Sequence, residues 1–325
     1  MLALDIEVHR RELTVAVAFG VGPGERFALF GPSGAGKTTV LETVAGLVEP
    51  HRGSVGLAGR PLWSEGGPRV PYWERQVALV RQDLALFPHL SVRDNLAYAG
   101  SRADQAALDR LVGSLDLGGL LDTRPSRLSG GQARRVVLAR ALATPYRAVL
   151  LDEPYTGLDA TLRRTVTGLV ADEASSRGAP AVLVSHELAE SQAFADRIGV
   201  IDRGRLLQVG APREVVLRPA SRRVAELVGY RGFVSCAGAV LGIHPERVLA
   251  GSHPAAGVVL SGRVAACRPA GAGFEVDLAV GGEELTCRLD REPGGPGAEV
   301  EITAVDPPAF SPDGRLLGRQ RAALR

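Results

Sequence analysis

Gly31-Pro32-Ser33-Gly34-Ala35-Gly36-Lys37-Thr38 fits the pattern G-x-x-x-x-G-K-[ST]. A short apolar run, Glu25 to Phe30, precedes it, and a helical pattern from Thr39 to Leu47 follows. Strand, glycine-rich loop and helix in that order are the context of a phosphate-binding loop. Glycines let backbone N–H groups wrap a phosphate, and the N-terminus of the following helix favours negative charge. Gly31, Pro32, Ser33, Gly34, Ala35, Gly36, Lys37, Thr38 and Thr39 therefore form a candidate ATP-binding set. In it Lys37 reaches the β and γ phosphates, and the Thr38 hydroxyl is placed to ligate Mg²⁺. Of the 38 Lys and Arg residues in the chain, Lys37 alone is a lysine. A lysine retained under such a bias has a chemical reason to be there.

Working outward, short apolar runs alternate with helical segments as far as Gly229. Val77–Val80, Ala148–Leu151, Ala181–Val184 and Ile198–Ile201 read as strands buried on both faces. Ala106–Leu117, Gln132–Ala143 and Leu162–Ser175 carry helical periodicity. Alternation of this kind predicts an α/β layer around a parallel sheet. Beyond Gly229 the periodicity stops. Val258–Ala265, Gly273–Val280, Glu284–Leu289 and Ala298–Val305 read as strands, with Gly281-Gly282 where a two-residue hairpin turn belongs. The expected organisation is an α/β domain over residues 1–229, a connecting segment over 230–257, and a small all-β barrel over 258–325 ending in an Arg-rich solvated tail.

The 325 residues suit about two domains. With 45% hydrophobic and 23% charged residues, disorder, collagen and coiled coil are excluded. The longest uncharged stretch, Val248–Gly262, contains Ser, His, Pro and Gly and is too short to span a bilayer. Asp5 and Glu7 stand where an export signal carries basic residues. Three cysteines without paired spacing fit a reducing compartment. A net charge of +2 argues against a nucleic-acid partner.

Two further segments carry chemistry. Ala148-Val149-Leu150-Leu151-Asp152-Glu153 is a buried strand that ends in two acids. Asp152 is placed there to meet Mg²⁺, and Glu153 to polarise an attacking water as general base. Leu128-Ser129-Gly130-Gly131-Gln132 opens an amphipathic helix, with Ser129 as its N-cap.

With these residues the chain resembles the ATPase subunit of ABC transporters, in which LSGGQ is the signature. The resemblance implies that Ser129, Gly130, Gly131 and Gln132 act in trans, on the nucleotide of a second subunit. It likewise implies that Gln82 is the glutamine that touches Mg²⁺ and water, that His186 senses the γ-phosphate, and that Asp159 in Gly157-Leu158-Asp159 crosses a dimer interface. Glu153, His186, Gln82 and Lys37 are then the catalytic set, and Thr38, Gln82 and Asp152 the metal set. The family stacks an aromatic on adenine; Val8 and His9 occupy that region here.

Arg81-Gln82-Asp83 through Phe87-Pro88-His89-Leu90-Ser91-Val92 is similar to importer ATPases, where this region docks the permease. Gly242-Ile243-His244-Pro245-Glu246 resembles a motif of their C-terminal extensions. Gly59–Arg75 and Val258–Val305 resemble the molybdate importer group most, although Ala255–Leu260 replaces the Thr-Ser-x-Arg-Asn segment that opens its oxyanion-binding barrel. The resemblance implies a homodimer at the cytoplasmic face of the membrane, two permease subunits, an extracytoplasmic substrate-binding protein, and an oxyanion near Arg263, Arg268 and Arg288. Sulfate, iron, polyamine and sugar import remain alternatives to molybdate or tungstate. A non-transport ATPase of the superfamily would carry a coiled-coil insert or a second ATPase domain. A phosphate-loop kinase lacks LSGGQ, and Lys37, Glu153 and His186 together argue against a non-catalytic binding module.

Overall fold

Ala148–Asp152 and Ala181–Ser185 are buried at every residue, as strands covered on both faces must be. They lie side by side in a ten-stranded sheet. The computed structural model describes residues 1–98, 105–236 and 238–319. The chain divides into two units, residues 1–212 and 213–325.

The first unit runs β1 (Leu2–His9), β2 (Thr14–Val21), β3 (Arg26–Phe30), α1 (Lys37–Ala45), β4 (Arg52–Leu57), β5 (Arg60–Ser64), β6 (Val77–Val80), α2 (Val92–Ala97), α3 (Gln105–Ser114), α4 (Gly130–Ala143), β7 (Ala148–Asp152), α5 (Ala160–Ser176), β8 (Ala181–Ser185), α6 (Leu188–Phe194), β9 (Arg197–Asp202) and β10 (Arg205–Gly210). The sheet order is β5-β4-β1-β2-β10-β9-β3-β8-β7-β6. From β9 to β6 the pairing is parallel, and the register aligns the C-terminal ends: Phe30 faces Ser185, Asp152 faces Val184, and Val80 faces Leu151. One edge of the sheet thus carries the residues that follow four strands, which is where α/β sheets build their sites. β1, β2, β4 and β5 pair antiparallel. The alternating burial of β1 follows from its sequence Leu-Ala-Leu-Asp-Ile-Glu-Val-His. Among the described residues, no helix is long and apolar enough to cross a membrane.

The second unit holds α7 (Pro212–Leu217), α8 (Arg222–Leu227), β11 (Gly232–Cys236), β12 (Ala239–Ile243), β13 (Val248–Ala250), β14 (Gly257–Ala270), β15 (Gly273–Val280), β16 (Glu283–Leu289), β17 (Glu299–Val305), β18 (Pro308–Phe310) and β19 (Leu316–Arg319). All nine strands form one sheet, the small all-β domain expected. Gly281 and Gly282 have φ of 59° and 87° and join the paired residues Val280 and Glu283, the geometry of a two-residue hairpin.

Three boundaries differ from expectation, the first being that the leading unit ends at residue 212 and not at 229. Residues 230–257 are not a connector, because β11 pairs with β12 and β16, and β13 with β17. Their strands are short and interrupted by glycine, so period alone did not mark them. The Arg-rich tail, expected over Ser311–Arg325, is in part a strand: Leu316–Arg319 pairs with β18, and residues 320–325 lie outside the described ones. The thiols of Cys236, Cys267 and Cys287 are free.

Candidate nucleotide site

The loop of residues 31–36 leaves β3 at the sheet edge and enters α1 through Gly36, whose φ is 98°. That left-handed backbone favours glycine, and a Cβ there would also lie 2.6 Å from Val15 Cγ2. At Gly31 a Cβ would run into the Ile201 carbonyl. The loop therefore takes its path only without side chains at these positions.

Lys37 turns back over the loop. Its Nζ donates to the carbonyls of Gly31 at 2.8 Å and Pro32 at 2.9 Å, and the residue is only 6% exposed. Burial holds the ammonium below its usual pKa, while Glu153 and Asp152 act in the opposite direction. Thr38 Oγ1 donates to Asp152 Oδ1 at 3.3 Å. Burial also pushes the Asp152 carboxyl above the usual carboxylate value, with the Thr38 bond opposing.

Glu153 follows Asp152 with φ of 46°, a left-handed conformation costing about 1–3 kcal/mol in a non-glycine residue. Its amide donates to the Val184 carbonyl at 3.1 Å. Its carboxylate meets His186 Nδ1 at 2.9 Å and accepts from Gln82 Nε2 at 3.3 Å. Lys37, Thr38, Gln82, Asp152, Glu153 and His186 are thus brought to one place from the ends of β3, β6, β7 and β8. Oxygen ligands suit Mg²⁺, which keeps several waters and leans on substrate phosphates. Among the described residues no group of three or more His, Cys, Asp or Glu could hold a metal by itself. Thr38 and Asp152 fit the lesser role, two oxygens placed together beside the loop.

The signature stands apart from this cluster. Ser129 N-caps α4 in a reciprocal capping box: Gln132 N donates to Ser129 Oγ at 3.2 Å, and Ser129 N to Gln132 Oε1 at 2.8 Å. No hydrogen bond joins these side chains to the loop among the described residues. Asp159 N-caps α5, accepting from Thr161 N and Leu162 N at 2.9 Å each.

Several contributors escaped the sequence. Arg134 is 4% exposed and donates to the carbonyls of Arg81 at 2.8 Å and Gln82 at 2.9 Å. Its buried Nε has no hydrogen-bond partner among the described residues. Arg140, also on α4, donates to the Ala85 carbonyl at 2.8 Å. Asn95, fully buried, accepts from Phe87 N and donates to the carbonyls of Phe87, Leu90 and Ser91. The 82–91 segment is thereby tied down by side chains from α2 and α4. Periodicity gave no signal for these, since an arginine on a helix ordinarily reads as surface. His9 stacks on His51 at 4.4 Å, and Val8 is buried in β1. The side chains beside Gly36 are instead the aliphatic Val15 and Leu13.

In the second unit, Arg263, Arg268 and Arg288 each meet a carboxylate, and Arg268 and Arg288 flank Glu275 in one cross-strand row. Arg268 pairs with Asp277 at 2.6 Å, Arg288 with Glu246 at 3.4 Å, and Arg263 with Glu299 at 3.5 Å.

The ABC transporter family profile matches residues 15–156. An iron(III) import ATP-binding protein of Mesorhizobium japonicum is 42% identical over 238 residues, 70% of this chain and 66% of its own length. A molybdate/tungstate import ATP-binding protein of Thermococcus kodakarensis is 39% identical, covering 70% and 68%. A glucose import ATP-binding protein of Saccharolobus solfataricus is 36% identical, covering 73% and 72%. The matches to the first iron-import relatives span 66% and 62% of those proteins, just under two thirds. Among solved structures, one described as the ATP-binding subunit of an ABC transporter superposes with TM-score 0.58 at 27% identity, over 70% of this chain and 94% of that one. The loop, the acid-tipped strand and the capped signature helix occur in one fold, and the molybdate/tungstate and glucose relatives are matched over 68% and 72% of their length. The chain belongs to the family of ABC transporter ATP-binding proteins.

Proposed function

We propose that this chain is the ATP-hydrolysing subunit of an ABC importer. The observation that carries the reading is the convergence of Lys37, Asp152, Glu153 and His186 beside a glycine-rich loop. In this reading the loop amides and Lys37 bind the phosphates, and Glu153 takes a proton from the attacking water. His186 orients Glu153, and Gln82 holds it from the other side. Thr38 and Asp152, with Gln82 nearby, would hold Mg²⁺ against the phosphates, where it would neutralise phosphate charge. Ser129–Gln132 acts on the nucleotide of a second copy; within the chain its side chains make a capping box with each other and no hydrogen bond to the loop among the described residues. Partners are a second copy, two membrane permease chains at the cytoplasmic face, and a substrate-binding protein beyond them. The test is phosphate release from ATP by the purified chain, with Glu153→Gln as control. No hydrolysis by the unmodified chain, alone or with permease, would overturn the reading.

For the solute we propose molybdate or tungstate. The resemblance of Gly59–Arg75 and of the β unit supports it, as does the 39% identity to a molybdate/tungstate relative. Iron is the alternative, supported by relatives at 42% identity. An oxyanion on Arg263, Arg268 or Arg288 in the second unit would compete with the carboxylate that each already meets. Calorimetry of the full chain with molybdate, against sulfate, tests that: absence of binding at millimolar concentration removes the oxyanion site.

A further inference from the structure

A chain of side chains outside the cluster above joins the turn 157–159 to His186. Arg163, near the start of α5, donates through Nε to the Leu158 carbonyl at 3.0 Å and through Nη1 to Glu190 Oε1 at 3.2 Å. Its Nη1 also lies 3.5 Å from Glu187 Oε2. The other oxygen of Glu190 accepts from Ser185 Oγ at 2.6 Å. That hydroxyl in turn accepts from the Glu187 amide at 3.0 Å. Ser185 is fully buried, and the Glu190 side chain is 11% exposed.

A carboxylate this enclosed persists only when its oxygens are bonded. Here the two oxygens have different partners on different elements, so Glu190 sets the spacing between α5 and the end of β8. Arg163 extends that spacing to the 157–159 turn, because one planar guanidinium makes both bonds. At one end of this chain, a Cβ on Gly131 of the signature would lie 3.3 Å from the Gly157 carbonyl and 3.7 Å from Leu158 Cδ2. At the other end, Ser185 is followed directly by His186, whose ring meets Glu153.

We infer that Arg163 and Glu190 are positioning residues that relay the arrangement of the 157–159 turn, against which the signature packs, to His186. The relay sets the His186–Glu153 hydrogen bond. The inference rests on the reading of Glu153 and His186 as the hydrolytic pair. The experiment therefore begins with the unmodified full chain and Glu153→Gln. If hydrolysis is absent or insensitive to Glu153, the functional reading fails before the relay is tested.

Given a Glu153-dependent activity, Arg163→Met, Glu190→Gln and Ser185→Ala are compared by kinetics and by NMR of the His186 ring, assigned with His186→Ala. A misplaced catalytic group costs up to about 100-fold, so Arg163→Met is expected to lower kcat at least about tenfold, with KM for ATP within about twofold. The His186 ring resonances should shift in the direction produced by Glu153→Gln. Arg163→Lys, which cannot make both bonds, should fall between. Ser185→Ala, a near-isosteric change, keeps the test open if the charge variants do not fold. Unmoved His186 resonances in Ser185→Ala and any folded charge variant, or losses confined to KM, would overturn the relay.

Discussion

His186 Nδ1 lies 2.9 Å from Glu153 Oε1 across the tips of two neighbouring strands, although the residues are 33 apart in sequence. The parallel register of β7 on β8, with Asp152 opposite Val184, makes the meeting possible. The left-handed backbone at Glu153 turns its carboxylate toward the ring and away from the continuing strand direction.

Glu153→Gln should keep nucleotide binding and lose hydrolysis by at least about 100-fold, the scale of general-base catalysis. His186→Ala should also lose hydrolysis, less completely if its role is to orient. Phosphate release and fluorescent-nucleotide binding separate the two steps. Full turnover in Glu153→Gln would remove the general base.

Asp152→Asn addresses the buried carboxylate. Its folded-state pKa is raised by burial, so ionisation costs stability above that pKa, and the cost is relieved as pH falls through it. A neutral amide escapes the cost at every pH. The nucleotide-free variant should therefore melt a few degrees higher at pH 7, with a flatter pH dependence, yet lose Mg²⁺-dependent hydrolysis. A lower melting temperature would show that the Thr38 bond outweighs desolvation.

Lys37→Ala removes the ammonium that donates to the loop carbonyls in the nucleotide-free chain and that, in the proposed reading, makes a charge-assisted bond to the nucleotide phosphates. Hydrogen bonds to charged groups are worth about 1.5–3 kcal/mol, so nucleotide affinity should drop by about 10-fold to 100-fold. Equal affinity by titration would refute the phosphate-loop assignment.

Ser129 separates a structural from a functional role. Ser129→Ala breaks the capping box and should cost about 0.5–2 kcal/mol in chemical denaturation; Ser129→Thr should not. Ser129→Arg should block hydrolysis while leaving binding intact. Mixed with Lys37→Ala, it should recover one working composite site per heterodimer. A dead mixture containing proven heterodimers would contradict action in trans.

Arg134→Gln should loosen the 82–85 segment. We expect kcat to fall by about tenfold, as for a misplaced group, with a higher Mg²⁺ half-saturation. Unchanged Mg²⁺ dependence would restrict Arg134 to packing.

Much was legible in the sequence because its chemistry is local. The phosphate loop is one contiguous octapeptide, and its glycines are required by backbone paths that one turn defines. The Asp152-Glu153 strand end and the Ser129 cap are equally short-range patterns, and the hydrophobic runs of β6, β7 and β8 announce burial by composition. The strands of residues 232–250 were not legible. β11 and β12 pair with each other, but the strands that join them to the rest of the sheet, β16, β17 and β18, lie far along the chain, and such short strands carry no period of their own.

By itself, then, the sequence determined which residues are charged and which are candidates for phosphate binding and water activation, since residue type and adjacent turns suffice for that. Only the tertiary structure decided which of them meet. Strand register set His186 on Glu153, and helix packing aimed Arg134 at the carbonyls behind Gln82. The close approach of β7 to α1 put Thr38 beside a buried Asp152. The physical reason is that hydrogen bonds and desolvation act over a few ångströms between groups that the chain itself separates by dozens of residues. No local propensity encodes such distances; the packed core imposes them.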